Sequence, residues 1–215
     1  MTPQPIPIVL DCDPGLDDAI AIMLALGSPE LDVLAITTVA GNAPLEHTTA
    51  NAIRVLDHID RADVLVAAGA DRPLIREPHA ERHVHGATGL GDLALPPPSR
   101  PPEPVHAIDL IADLATSSPQ PVTLVAVGPL TNVALFAARH PHAAAVLERV
   151  VVMGGSIGLG NTTPAAEFNI WADPEAAQRA LTSGLDVTMV GLDVTQRALF
   201  TPEENDSLRE RGRAG

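Results

Sequence analysis

The sequence predicts an α/β fold, an open and mostly parallel sheet with helices on both faces, and three observations carry that prediction. Short β-branched runs alternate with longer segments of helical spacing, the pattern of parallel strands joined by crossover helices. Glycine or polar residues close several of the apolar runs, as at Gly41-Asn42, Gly128-Pro129 and Gly154-Gly155. With 215 residues, 46% hydrophobic and 19% charged, the chain can bury a substantial core as one large domain.

Taken in order, the predicted strands are residues 6–10, 33–39, 64–68, 122–127, 150–153 and 187–192. The predicted helices are 17–26, 45–59, 105–116, 131–139 and 174–183. In the second of these, Leu45, Thr49, Ala52, Ile53, Leu56 and Ile59 follow the 3.6-residue period. Pro174 suits a first helical position, with Asp173 as its N-cap. Residues 96–104 hold six prolines and read as a stiff surface connection. They follow a glycine-rich loop containing His83 and His85, and a polar helix occupies 202–211.

Composition removes several function classes. A net charge of −14 argues against nucleic acid as a partner, because phosphate binding needs basic patches. All 13 basic residues are arginine, so no lysine can serve a Walker-type loop, a Schiff base or general-base chemistry. The single cysteine, Cys12, excludes an intrachain disulfide framework and a cysteine-rich zinc site. Surrounding carboxylates would raise its pKa, so it reads as a packing residue rather than a nucleophile. Residues 1–7 contain three prolines and no basic residue, and no apolar run reaches the length of a membrane span. A soluble cytoplasmic protein with no membrane partner is the expectation.

The chemistry concentrates in Asp11-Cys12-Asp13-Pro14-Gly15-Leu16-Asp17-Asp18, directly after the first apolar run. Pro14-Gly15 signals a tight turn between strand and helix. Asp13 then falls at the carboxyl end of a strand, where open α/β sheets bind ligands, and Asp17 and Asp18 fall in the first helical turn. Acidic residues there complement the helix dipole, which accounts for Asp17 or Asp18 alone. It does not account for Asp11 and Asp13 at the end of a buried strand, where mutual repulsion calls for a cation. Hard oxygen donors favour calcium or magnesium over zinc.

A second polar stretch runs through Asn161, Glu167, Phe168, Asn169 and Trp171. Its amides and carboxylate suit a polyhydroxylated ligand. A polar surface loop with Phe168 and Trp171 packed inward fits the same residues. Gly154, Gly155, Gly158 and Gly160 have the wrong spacing for a dinucleotide loop.

At these residues the chain resembles the inosine–uridine preferring nucleoside hydrolase family. The Asp-Cys-Asp-Pro-Gly-Leu-Asp-Asp run, Gly41-Asn42, His85-Gly86, residues 128–132, Met153-Gly154-Gly155 and residues 166–169 recur in that family in the same order. The resemblance covers essentially residues 1–215. It implies a calcium-dependent N-ribohydrolase with an open α/β sheet, acting on a small-molecule ribonucleoside as a dimer or tetramer. Asp13 resembles the metal-ligating general base, Asp18 a second calcium ligand, and Val127 a ligand through its backbone carbonyl. Asp17, Asn42, Asn161, Glu167 and Asn169 resemble ribose-binding residues. Met153 and Phe168 lie near sugar or base in the family, and His85 matches a histidine near the base. The resemblance also implies a C-terminally shortened domain. Family members continue past the position of Gly215 and carry a His-Asp pair that this chain lacks.

Two other readings remain open at this stage. One is a ribose- or nucleoside-binding protein without turnover. The other is a haloacid-dehalogenase-like phosphatase, whose first motif Asp11-Cys12-Asp13 mimics, although that chemistry uses a lysine absent here.

Overall fold

Each predicted apolar run becomes a strand of one sheet, and every strand pairing is parallel. The computed structural model describes residues 4–80, 84, 86–199 and 201–209. The strands are β1 (Ile6–Cys12), β2 (Leu31–Thr38), β3 (Leu65–Ala68), β4 (Thr123–Ala126), β5 (Arg149–Met153) and β6 (Val187–Val190). Their spatial order is β3-β2-β1-β4-β5-β6. Chain direction across the sheet therefore reverses between β1 and β4. That reversal opens a crevice at the carboxyl ends of those strands.

Right-handed crossovers decide which face each helix covers. Helices α1 (Leu16–Gly27) and α2 (Leu45–His58) carry the chain from β1 to β2 to β3 on one face. There Ala19, Ile22, Ile53 and Leu56 pack onto Leu10, Cys12, Ile36 and Val66. The route back to β4 and on to β6 uses the opposite face, through α3 (Ala107–Ser117), α4 (Thr131–Arg139) and α7 (Pro174–Leu181). Ile111, Val133, Phe136 and Ala177 pack there against Val9, Leu124, Val150 and Val152.

The short elements complete the chain: α5 (Pro141–Ala144), α6 (Phe168–Ala172), α8 (Leu192–Thr195) and α9 (Pro202–Arg209). Three of them correct the sequence expectation. Helices α5 and α6 are too short to show a period of their own. The predicted strand 187–192 stops at Val190 because Gly191 turns the chain and Leu192 opens α8. The Leu192 N–H donates to the Gly155 carbonyl at 2.9 Å, which fixes that turn. In the other direction, β1 runs two residues further than predicted, so Asp11 lies inside the strand and Asp13 just beyond it.

Residues 96–104 form no regular element, as expected, but they are anchored. Ser99 donates to the Asp57 carboxylate from its N–H and its Oγ, at 2.8 and 2.7 Å. The Glu103 N–H donates to the Val66 carbonyl at 2.7 Å, so this strap shields the outer edge of β3. No helix among the described residues is long and apolar enough to cross a membrane.

Candidate active site

The turn Asp13-Pro14-Gly15 carries the chain from β1 into α1, and two carboxylates end up side by side beneath the surface. Asp13 is 1% exposed and Asp18 is 4% exposed. Asn42, closing β2, ties them together. Its N–H donates to Asp13 Oδ2 at 2.7 Å, and its Nδ2 donates to Asp18 Oδ2 and to the Asp13 carbonyl, each at 3.2 Å. The Gly15 N–H adds a bond to Asp18 Oδ2 at 3.0 Å, so Asp18 caps its own helix.

Two glycines let the Asp13 carboxylate fit. A Cβ on Gly41 would lie 2.1 Å from Asp13 Oδ2, and one on Gly128 would lie 2.6 Å from Asp13 Oδ1. Any side chain at either position would displace the carboxylate. The glycines that close β2 and β4 are thus an accommodation of Asp13 as well as turn residues.

Burial and repulsion raise the proton affinity of this pair. Burial, reinforced by the charge of Asp18, pushes Asp13 well above the ordinary carboxylate range. Burial, with the charge of Asp17 next, lifts Asp18 to about 7. Burial also drives the Cys12 thiol well above its usual value, which agrees with packing rather than nucleophilic duty.

Asp13 Oδ1 and Asp18 Oδ1 are buried and have no hydrogen-bond partner among the described residues. Two such oxygens, held rigidly by bonds to their sister atoms, suit a hard divalent cation. Among the described residues, no three His, Cys, Asp or Glu side chains form a metal cage by themselves. A cation here would need a further donor such as the Val127 carbonyl. That carbonyl lies at the end of β4 and accepts from Asn169 Nδ2 at 2.7 Å.

A cavity of about 680 Å³ opens beside the pair. Asp17, Asn42, Val127, Met153, Asn161, Glu167, Phe168 and Asn169 all line it, so it gathers residues spread over more than 150 positions of sequence. Leu16, Val84 and Thr162 line it too; each sits within a stretch the sequence singled out, but none was chosen as a site residue. The expected base contact His85 lies outside the described residues.

The residues 161–169 fold onto the cavity through two caps. Glu167 is the N-cap of α6; its carboxylate accepts from the N–H groups of Asn169, Ile170 and Gly155 at 2.9, 3.2 and 3.0 Å. Asn161 Oδ1 accepts from the Phe168 N–H at 2.9 Å. Asn169 Nδ2 bridges the Val127 and Met153 carbonyls at 2.7 and 3.1 Å, stitching α6 to the ends of β4 and β5. Phe168 is buried, as the inward-packing reading expects, while Asn161, Glu167 and Asn169 line the cavity.

Asp11 plays a different part from the other acidic residues. Its Oδ1 accepts from Thr37 Oγ1 at 2.6 Å and from Asn132 Nδ2 at 2.8 Å. Asn132 also donates to the Thr38 carbonyl at 3.0 Å and accepts from the Ala70 N–H at 2.9 Å. This buried knot joins β1, the ends of β2 and β3, and the start of α4. Burial lifts Asp11 to about 6 despite those bonds.

Comparison with known proteins agrees with this geometry. Residues 8–214 match the inosine-uridine preferring nucleoside hydrolase family. A pyrimidine-specific ribonucleoside hydrolase RihA from Shewanella sp. (strain MR-7) is 53% identical over 203 residues, 94% of this chain and 64% of that relative. RihA from Salmonella arizonae is 53% identical over 207 residues, 96% of this chain and 67% of that protein. Among solved structures, the plant nucleoside hydrolase PpNRh1 superposes with a TM-score of 0.90 at 38% identity, covering 95% of this chain and 65% of that one. A purine-preferring ribonucleoside hydrolase from Gardnerella vaginalis gives 0.91 at 34% identity, with 95% and 66% covered. The chain thus spans roughly two thirds of the length of these relatives, 64% of the first.

Proposed function

Since the chain belongs to the inosine-uridine preferring nucleoside hydrolase family, we propose that it hydrolyses the N-glycosidic bond of ribonucleosides to ribose and free base. Calcium is the proposed cation, and pyrimidine ribonucleosides are the proposed substrates, in line with the RihA relatives at 53% identity. The observation that carries this reading is the buried Asp13–Asp18 pair, with two unpartnered oxygens, beside a cavity ringed by amides and carboxylates. The family also sets aside the phosphatase reading of Asp11-Cys12-Asp13.

Asp13, Asp18 and the Val127 carbonyl would hold calcium. When bound, the ion supplies charge that draws in the ribose hydroxyls and eases ionisation of a water. Asn42 fixes Asp13 Oδ2, which leaves Oδ1 to accept the proton of an attacking water. Asp17, Asn42, Asn161 and Asn169 would hold the ribose by hydrogen bonds. Three backbone donors already engage the Glu167 carboxylate. Its larger contribution is a fixed negative charge that favours the positive charge developing on the sugar. Met153 and Phe168 would pack on sugar or base, and His85 is assigned to the base by family likeness alone. A homo-oligomer and a cytoplasmic setting belong to the same proposal.

The test is ribose release from uridine and inosine in calcium buffer, by the protein and by Asp13→Asn. Calcium-dependent turnover favouring uridine is expected, and Asp13→Asn should lose about 10²–10⁴-fold in rate with its melting curve retained. Undiminished turnover in Asp13→Asn would remove Asp13 from the base role. Ribose binding with no turnover in either protein would favour the non-enzymatic reading.

A further inference from the structure

A second cavity, of about 370 Å³, opens on the same carboxyl edge of the sheet. Asn42 lines the first cavity, while its neighbours Gly41 and Ala43 line the second. The loop that donates an N–H to Asp13 is therefore the wall between them. Four proline rings, of Pro44, Pro73, Pro78 and Pro129, supply rigid apolar surfaces with fixed backbones. Two polar side chains, Asp71 and His79, join them. The Trp171 ring meets His79 edge-on at 5.0 Å and orients the imidazole.

The segment carrying these groups is held in place. The Leu74 N–H donates to Asp173 Oδ2 at 2.9 Å, and Arg76 Nε donates to Glu175 Oε2 at 3.0 Å. Asp71 itself is mostly exposed, with only a loose contact to its neighbour Arg72 at 3.4 Å. Its carboxylate can still turn to a ligand.

These features select the ligand chemistry. Rigid apolar walls can pack on the faces of a planar ring, and a carboxylate accepts from ring N–H groups. The His79 ring, held edge-on to Trp171, adds an aromatic surface to the same cavity. An anion would meet Asp71 and a chain of net charge −14, and a sugar would leave most of its hydroxyls against apolar walls. A neutral lactam heterocycle satisfies every wall, and the cavity sits near the lower end of ligand-pocket volumes, about 300–1,000 Å³. Resting on the hydrolase reading above, we propose that this second cavity is a holding subsite for the free nucleobase, one loop away from Asp13.

The experiment measures binding of free uracil and of ribose to the protein by titration calorimetry, alongside uridine turnover. Two variants are compared, Asp71→Ala combined with His79→Ala, and Ala80→Leu, which fills the cavity from another wall. Uracil affinity should fall about tenfold or more in both. Ribose binding and initial turnover should stay near those of the parent. Saturating ribose should leave uracil binding in place. Absence of uracil binding at millimolar concentration, full competition with ribose, or unchanged affinity in both variants would overturn the subsite. If uracil binds as expected but uridine is never hydrolysed, the hydrolase reading fails and the subsite stands.

Discussion

One row of side chains crosses the whole sheet on the face of α1 and α2: Val66, Ile36, Leu10, Val125, Val151 and Thr188. Burial falls steadily along it. Val66 and Ile36 are 0% exposed and Leu10 is 3%, Val125 and Val151 are half-buried, and Thr188 is exposed. The β3-β2-β1 half thus has helices on both faces. Among the described residues, the β4-β5-β6 half has them on one. The edges differ in the same way, since the strap shields β3 while Thr188 and Met189 of β6 stand exposed. The candidate site straddles the boundary. Asp13, Asp17 and Asp18 stand on the doubly covered half, beside the knot of Asp11, Thr37 and Asn132. Val127 and Met153 stand on the half that is open on one face. A parallel sheet normally has both faces covered. The open face therefore marks a surface that other structure can occupy, and the cavity-lining residues from β4 and β5 depend on the less supported half.

The largest expected effect tests that gradient directly. Ile36→Ala removes a side chain packed on all sides and should cost about 2–5 kcal/mol in urea unfolding. Val151→Ala, in the same row, should cost less than about 1 kcal/mol, nearer the range of surface changes. Val151→Ser should also reduce binding of an environment-sensitive hydrophobic dye. Equal costs at the two positions would show that the open face is covered in solution.

A smaller effect concerns the acidic residues at the boundary. Asp11 and Asp18 have folded pKa values raised to about 6 and about 7, and burial with the charge of Asp18 raises Asp13 well above 3.8 as well. A raised folded value means the native state binds the proton more tightly than the unfolded chain. The resulting stability is fully present below the unfolded value of 3.8 and is lost as pH rises through the folded values. In chelator, melting temperature should therefore be higher at mildly acidic pH than above about pH 7. Calcium favours the ionised forms and should reverse the trend, adding about 2.7 kcal/mol at a hundredfold excess over its dissociation constant. If calcium leaves the melting temperature unchanged at every pH, the Asp13–Asp18 pair does not hold it.

Much of this architecture was legible in the chain. The helix 131–139 was predicted to the residue, and the strands within two at most ends, because β-branched runs and turn residues are local signals. The Asp13–Asp18 pair was legible for the same reason, since a turn and five residues define it. Asn132 was not. It meets Asp11 across 121 positions, and no local pattern reports a bond between the start of α4 and the carboxyl end of β1. Glu167 was noticed as a polar group, but its capping of α6 depends on a helix of five residues, too short to show a period. Leu16, Val84 and Thr162 carry no polar signature of their own or only a weak one, and they reach the cavity through the placement of the α1 start and the loops around it.

The smallest expected effect concerns the face that covers both halves. Asp109 stands on α3, which packs over β2 and β3, and Arg139 and His140 stand at the end of α4 on the β4–β5 side. Asp109 Oδ1 lies 2.8 Å from His140 Nε2 and 3.3 Å from Arg139 Nε, so this cluster clips one half to the other from behind. The bond to His140, helped by the charge of Arg139, holds Asp109 below its usual 3.8. For a lowered carboxylate the stability is present above the unfolded value and lost as pH falls through the folded one. The cluster is partly exposed to solvent, so screening limits the gain. Asp109→Asn should cost less than about 1 kcal/mol near neutral pH. That corresponds to at most about 2–4 °C in melting temperature for a chain of this size. In acid, below the folded value of Asp109, parent and variant should melt together. A difference that persists there would assign the contribution to packing of the His140 ring, which tilts against Phe136 at 6.3 Å, rather than to charge.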